Sequence, residues 1–263
     1  MNRKVSLNLK GDVGIITGAA SGIGKEMALK LGRDGANIVL ADIDYDGMCN
    51  VKENIEPYSN ALAIETDVTK VKDIKNLVEK TINKFNKIDF LISNAGIVGP
   101  YDFENTSAAD WDKVFDINVK GMFLCAKYVL PIMKKQEEGK IIFTGSTNAN
   151  KPGGYVVAYR SSKAAVVMLA KSLALYAAPY NINVNAICPG VVLTEIQKNM
   201  IKEVIENKEI SFEDYIEERA ERVPMGRFTK TKDVAELAEF LVSDSAQFIT
   251  GQQIYVNGGE WSI

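Results

Sequence analysis

Tyr159 and Lys163 stand four residues apart in Tyr159-Arg160-Ser161-Ser162-Lys163. On a helix that spacing is about one turn, so a phenol and an ammonium project from one face into a shared site. A nearby cation favours the phenolate and lowers a pKa that is otherwise about 10. Tyr159 then becomes a proton acceptor for an alcohol near neutral pH. A Tyr-x3-Lys pair also describes many solvated helix faces, so it defines a site only in company. The chain contains no histidine. That removes imidazole acid/base chemistry, Ser-His-Asp triads and zinc-histidine sites, and it leaves carboxylate, Lys, Cys or Tyr as the proton acceptor.

The company lies upstream. Ser146 precedes Tyr159 by thirteen residues and follows the apolar run at 140–145; Asn118 sits earlier, in Phe115-Asp116-Ile117-Asn118-Val119-Lys120-Gly121. Near the N-terminus, Gly18, Ser21, Gly22, Ile23 and Gly24 follow a strand-like run at 13–17 and open a helix. Glycines in that context let the backbone approach a pyrophosphate, and the helix N-terminus offers free N–H groups and a positive dipole. Asp42 ends the second strand-like run, where a carboxylate can accept hydrogen bonds from ribose hydroxyls and repels a 2′-phosphate. That carboxylate favours NAD over NADP.

These residues need elements to position them. Apolar, β-branched runs at 13–17, 37–41, 61–65, 88–93, 140–145, 183–188 and 253–256 read as strands. Helix-like segments at 22–33, 45–55, 71–85, 108–135, 155–178 and 232–243 alternate with them. Regular βα alternation predicts an α/β fold: a doubly wound parallel sheet of about seven strands with helices on both faces, the Rossmann fold. Its ligand crevice lies at the carboxyl ends of the strands. No linker or repeat divides the chain, so residues 1–263 read as a single domain. The stretch 195–223, closed by Pro224, breaks the alternation and carries nine acidic residues against five basic ones. It reads as a surface insertion, and insertions of that length in compact domains are often lids.

The set as a whole resembles the short-chain dehydrogenase/reductase family in its single-domain form, from Gly11 to Asn257-Gly258-Gly259. The spacing Gly18-x3-Gly22-x-Gly24 matches that family rather than the two-domain dehydrogenases. The resemblance implies that Tyr159 exchanges the alcohol proton while hydride moves to nicotinamide. Lys163 would lower the tyrosine pKa and bind the nicotinamide ribose, Ser146 would hold the substrate oxygen, and Asn118 would interrupt its helix and hold a water linking Lys163 to solvent. It also implies adenine contacts from Asp67 and Val68, and a backbone passage along the adenosine from Asn94, Ala95 and Gly96. Pro189, Gly190, Val192 and Thr194 would grip the nicotinamide amide and diphosphate, and 195–224 would form a substrate-binding flap. Ser93 departs from the usual Asn, and Thr144-Gly145-Ser146-Thr147 from the usual Ile-Ser-Ser. Arg160 replaces a smaller residue and is expected to point off the Tyr/Lys face. Family likeness further implies a homotetramer, with the apolar segments 155–178 and 108–135 at an interface.

Composition narrows the partners. A net charge of -3 gives no footprint for nucleic acid. No run of about 18 apolar residues suggests a membrane span, and Met1 to Lys10 has no apolar signal-peptide region. Cys49, Cys125 and Cys188 are far apart, as suits reduced thiols in a cytoplasmic protein and no metal site. The leading expectation is an NAD-dependent enzyme interconverting a secondary alcohol and a ketone. A 3-oxoacyl-(acyl-carrier-protein) reductase or a hydroxysteroid or hydroxyacyl dehydrogenase is the alternative, and an inactive NAD-binding sensor the reading from another class. Asn148, just past Ser146, has an amide that could meet a second hydroxyl, which together with Ser146 and Tyr159 points to a small polar substrate: a polyol, a sugar or a hydroxyketone.

Overall fold

The computed structural model describes residue 7, residues 9–206 and residues 210–260. Most of the N-terminal segment read for a signal peptide, and positions 207–209 of the expected flap, lie outside the described residues. Seven strands form one parallel sheet: β1 (Val13–Thr17), β2 (Asn37–Asp42), β3 (Ala61–Glu65), β4 (Phe90–Ser93), β5 (Gly139–Thr144), β6 (Ile182–Pro189) and β7 (Gln253–Val256). Their order is β3-β2-β1-β4-β5-β6-β7. The helices are α1 (Gly22–Arg33), α2 (Tyr45–Ile55), α3 (Val71–Phe85), α4 (Ala108–Phe115), α5 (Met122–Gln136), α6 (Val157–Ala177), α7 (Glu195–Ile205), α8 (Phe212–Glu221) and α9 (Thr231–Val242). This is the doubly wound α/β architecture that the alternation predicts.

Strand residues are apolar almost without interruption because both faces of the sheet are covered. Successive residues serve opposite layers. Ile15, Leu91 and Ile141 enter a core with α3, α5 and α6, while Ile16, Ile92 and Ile142 enter another with α1, α2 and α9. Each such fully buried side chain contributes about 1.5–3 kcal/mol. The chain winds outward from β1 to β3, then returns to place β4 on the other side of β1. Connections leaving β1 and β4 therefore diverge, and a crevice opens at their carboxyl ends.

Several boundaries differ from the sequence reading. The expected helix at 108–135 is two helices joined by a π-helical turn, Asp116–Gly121, and it carries on to Gln136. α4 is fixed at its start by a capping box between Ser107 and Asp110. The expected helix at 155–178 begins at Val157, leaving Tyr155 outside. Val156 precedes it with a φ of 48°, a conformation unfavourable for a β-branched residue. Its buried side chain and the bond from its N–H to the Tyr101 carbonyl (2.8 Å) hold it there. Segment 195–223 contains two helices, α7 and α8. Strand ends shift by one or two residues, which is the usual uncertainty of such limits. Among the described residues no helix is long and apolar enough to cross a membrane.

Candidate active site

The crevice is a cleft of about 900 Å³ at the carboxyl ends of the strands. Its first wall is the loop from β1 to α1, where Gly18 (φ 67°) and Gly22 (φ 54°) adopt left-handed conformations. Ser21 and Ile23 line the cleft beside them, at the N-terminus of α1. Gly24 does not line it: a Cβ there would lie 2.0 Å from the Gly18 carbonyl oxygen, so this glycine lets the helix close against the loop. Asp42 faces the cleft from the end of β2. Its Oδ2 accepts from the Ala20 N–H (3.0 Å) and its Oδ1 from the Asp44 N–H (3.1 Å), so the carboxylate is oriented by two loops at once.

The other expected cofactor residues fall on the same cleft. Asp67 and Val68 line it after β3. Burial pushes the Asp67 carboxyl up, but hydrogen bonds from Thr69 and the Lys70 ammonium (3.1 Å) outweigh that and hold it below its ordinary value. Asn94, Ala95 and Gly96 line it after β4, as do Pro189 at the end of β6 and Gly190, Val192 and Thr194 beyond it. Thr194 approaches Gly22: its Cγ2 would lie 3.2 Å from a Cβ placed there. A glycine cradle at a helix N-terminus, a fixed carboxylate and a long cleft between them and Tyr159 fit a dinucleotide.

Tyr159, Lys163 and Ser146 meet at the far end of this cleft. Lys163 is 3% exposed, and its Nζ donates to the Thr144 carbonyl at 2.7 Å. Burial pulls its pKa down to about 8. Its Nζ stands 5.6 Å from the centre of the Tyr159 ring. The expectation that Lys163 lowers the tyrosine pKa is not met in this arrangement. Desolvation pushes the Tyr159 phenol above its ordinary value, and the opposing influences are a hydrogen bond with the Ser146 side chain and the positive charge of Arg160. Ser146 is itself oriented, since its Oγ accepts from the Asn148 N–H at 3.1 Å.

Asn118 is fully buried in the π-helical turn. Its Oδ1 accepts from the Ile97 N–H (2.8 Å), and its Nδ2 donates to the Ile97 carbonyl (2.9 Å) and to Ser162 Oγ (3.0 Å). The side chain is thus committed to holding the loop after Gly96 against α6, and any water contact falls to its backbone. A π turn supplies the wider backbone spacing that brings such a group inward.

A second cavity of about 260 Å³ shares Ser146 and Tyr159 with the cleft and contains Asn148. Sequence reasoning missed most of its lining. Arg160, expected to point off the Tyr159/Lys163 face, lines this cavity instead of the cleft. Its Nε donates to the Tyr155 carbonyl (3.0 Å) and its Nη1 to the Lys151 carbonyl (2.7 Å), which ties down the loop between β5 and α6. Tyr101 and Tyr155 stack at 4.4 Å on the same side, and Tyr215 and Arg219 reach in from α8. The departure of Arg160 from the family pattern was the available signal, but its partners are backbone carbonyls, which leave no trace in residue types.

Comparison with known proteins agrees with the fold. A family profile described as enoyl-(acyl carrier protein) reductase matches residues 18–260. An NAD-dependent glycerol dehydrogenase of Listeria innocua is 38% identical over 252 residues, covering 96% of this chain and 94% of that one. A 3-oxoacyl-(acyl-carrier-protein) reductase of Thermotoga maritima is 34% identical, with 96% and 99% covered. The structure of L-sorbose reductase from Gluconobacter frateurii with NADPH and L-sorbose superposes with a TM-score of 0.92 at 28% identity, covering 98% of this chain and all of that one. The chain belongs to the short-chain dehydrogenase/reductase family and is an oxidoreductase of alcohol and ketone groups.

The buried ammonium sets a pH-dependent stability. Lys163 has a folded pKa near 8 against an ordinary 10.5, so between those values the unfolded chain holds a proton that the folded chain has released. Stability from this group therefore rises with pH across that window, and below pH 8 the full cost of burying the charge is present. Lys163→Met is expected to stabilise the protein at pH 7 by about 1–3 kcal/mol, even though the Thr144 carbonyl loses its donor. That gain should shrink toward pH 10. Thermal melts across the range check it, and a lower melting temperature for the variant at pH 7 contradicts the assignment.

Proposed function

We propose that this protein is an NAD-dependent dehydrogenase that interconverts a secondary alcohol and a ketone on a small polar substrate, with Tyr159 as acid and base. The observation that carries the reading is the convergence of Ser146 and Tyr159 where the long cleft meets the small cavity, with Lys163 buried behind them. Nicotinamide bound in the cleft would take or return the hydride. Ser146 holds the substrate oxygen and stabilises charge developing there. Tyr159 removes the hydroxyl proton in oxidation and returns one in reduction. Lys163 supplies positive potential and a ribose contact, and Asn118 positions the loop that carries Gly96. Segment 195–224 acts as the flap, since α7 and α8 both contribute to the small cavity.

NAD rather than NADP rests on Asp42, because the similar proteins include users of either form. A carboxylate fixed by Ala20 and Asp44 suits a ribose diol and repels a 2′-phosphate. The small polar substrate rests on the cavity, whose volume lies below the usual range of roughly 300–1,000 Å³ and whose lining includes Asn148, Gln197 and Arg160. An acyl-carrier substrate is the second reading, favoured by the Thermotoga maritima relative. We also propose a homotetramer. Met168, Leu175 and Tyr176 on α6 and Phe123 on α5 leave large apolar surface exposed on the two expected interface helices. A monomer by light scattering at micromolar concentration would rule that out.

Tyr159→Phe is expected to keep cofactor binding while turnover falls by about 10²–10⁴-fold. Near-wild-type turnover would exclude the mechanism. For cofactor choice, the wild type should favour NAD by about tenfold or more, and Asp42→Ala should erode that preference; wild-type preference for NADP refutes the role of Asp42. Ratios of kcat/KM for sorbitol, ribitol, glucose and 2,3-butanediol against hydroxysteroids and long-chain 3-hydroxyacyl thioesters test the substrate class. Preference for either bulky class rejects the small polar reading.

A further inference from the structure

Two guanidinium groups line the small cavity, and the reaction proposed above uses neither. Arg160 follows Tyr159 on α6 and spends two of its five N–H donors on the carbonyls of Lys151 and Tyr155. Arg219 comes from α8, its guanidinium carbon 6.0 Å from the centre of the Tyr215 ring. Both share the lining of this cavity with Tyr101, whose phenol feels the charge of each. Among the described residues neither has a carboxylate partner, whereas Arg222 pairs with Glu218 and Arg227 with Asp233. Lys151 adds a third cationic side chain to the lining. Against these three stands Glu260, beside Gly190: its Oε2 would lie 3.1 Å from a Cβ there.

An excess of positive charge in a cavity that also holds a hydrogen-bonding serine and tyrosine has a chemical meaning. Arg presents a planar fork that matches carboxylate and phosphate oxygens, and a partly desolvated guanidinium gains more from an anion than one in open water. Burial does act on Arg160, pulling its pKa below the ordinary value. We propose that the substrate carries an anionic oxygen group, a carboxylate or a phosphate, bound by Arg160 and Arg219 while its carbinol carbon meets Ser146 and Tyr159. The inference rests on the dehydrogenase reading and narrows it to small hydroxy acids or phosphorylated polyols. Arg160 is on α6 and Arg219 on α8, so one anion would be held between the two helices.

Initial rates with NAD test this in two matched pairs: 3-hydroxybutyrate against 1,3-butanediol, and glycerol 3-phosphate against glycerol. The anionic member of at least one pair is expected to have the higher kcat/KM by about tenfold or more, and Arg219→Met is expected to reduce that ratio by about tenfold. Which pair responds separates carboxylate from phosphate. Calorimetry needs no turnover: glutarate or inorganic phosphate should bind the wild-type protein with NADH present and bind Arg219→Met and Arg160→Lys about tenfold more weakly. Equal kcat/KM within both pairs, or binding of neither anion by the wild type, overturns the proposal. Anion binding that weakens in the variants, with no oxidation of any alcohol, keeps the anion site and overturns the dehydrogenase reading instead.

Discussion

A buried polar knot at the carboxyl ends of β1, β4 and β5 holds the site together. Thr17 Oγ1 accepts from the N–H groups of Asn94 (2.9 Å) and Ala95 (3.1 Å). Asn94 Nδ2 donates back to the Thr17 carbonyl (3.1 Å), and Thr144 Oγ1 donates to Asn94 Oδ1 (3.1 Å). Lys163 then joins through the Thr144 carbonyl. Doubly wound sheets must open where the winding reverses, and the exposed backbone there needs partners. Each group left unpaired in such a buried place would cost about 1–3 kcal/mol. The knot satisfies them without closing the crevice, and it fixes the glycine loop, the β4 loop and the Tyr/Lys helix relative to one another.

That arrangement also sets the chemistry by deciding how much water each group keeps. Lys163 Nζ stands 5.6 Å from the Tyr159 ring centre, but burying a phenolate is costly. Desolvation wins, so Tyr159 is held above its ordinary pKa and is protonated at neutral pH. On the proposed mechanism it would in that state donate to a ketone oxygen, and Ser146, whose hydrogen bond opposes desolvation, would assist proton removal in the opposite direction.

Much of this was legible in the chain because it is written in periodicity and in glycine. The strands announce themselves as buried runs, Gly18 and Gly22 as turn positions, and Asp42 as a strand-end carboxylate. Asn94 was legible as a site residue but not as a structural tie, since its partners Thr17 and Thr144 are 77 and 50 positions away. Asn118 was read as breaking a helix, and the π turn does so, while the ties of its amide to the Ile97 backbone and Ser162 were not legible. The Tyr/Lys spacing was legible too. The direction of the pKa shift was not, because spacing reports proximity and says nothing of solvent.

Arg160 shows how one helix serves two halves of the site. Adjacent residues on a helix point about 100° apart, so the turn that sends Tyr159 and Lys163 toward the cleft sends Arg160 toward the loop between β5 and α6. The small cavity is therefore built in part on the same helix as Tyr159. α8 supplies the other wall with the opposite logic. Exposed Glu213, Asp214, Glu217, Glu218 and Glu221 make its outer surface acidic, while Arg219 lines the cavity. An acidic carrier protein would be repelled from that surface, whereas a small anion that has entered meets the guanidinium side. On the anionic-substrate proposal, the charge pattern of α8 would favour a small anion over an acidic carrier protein.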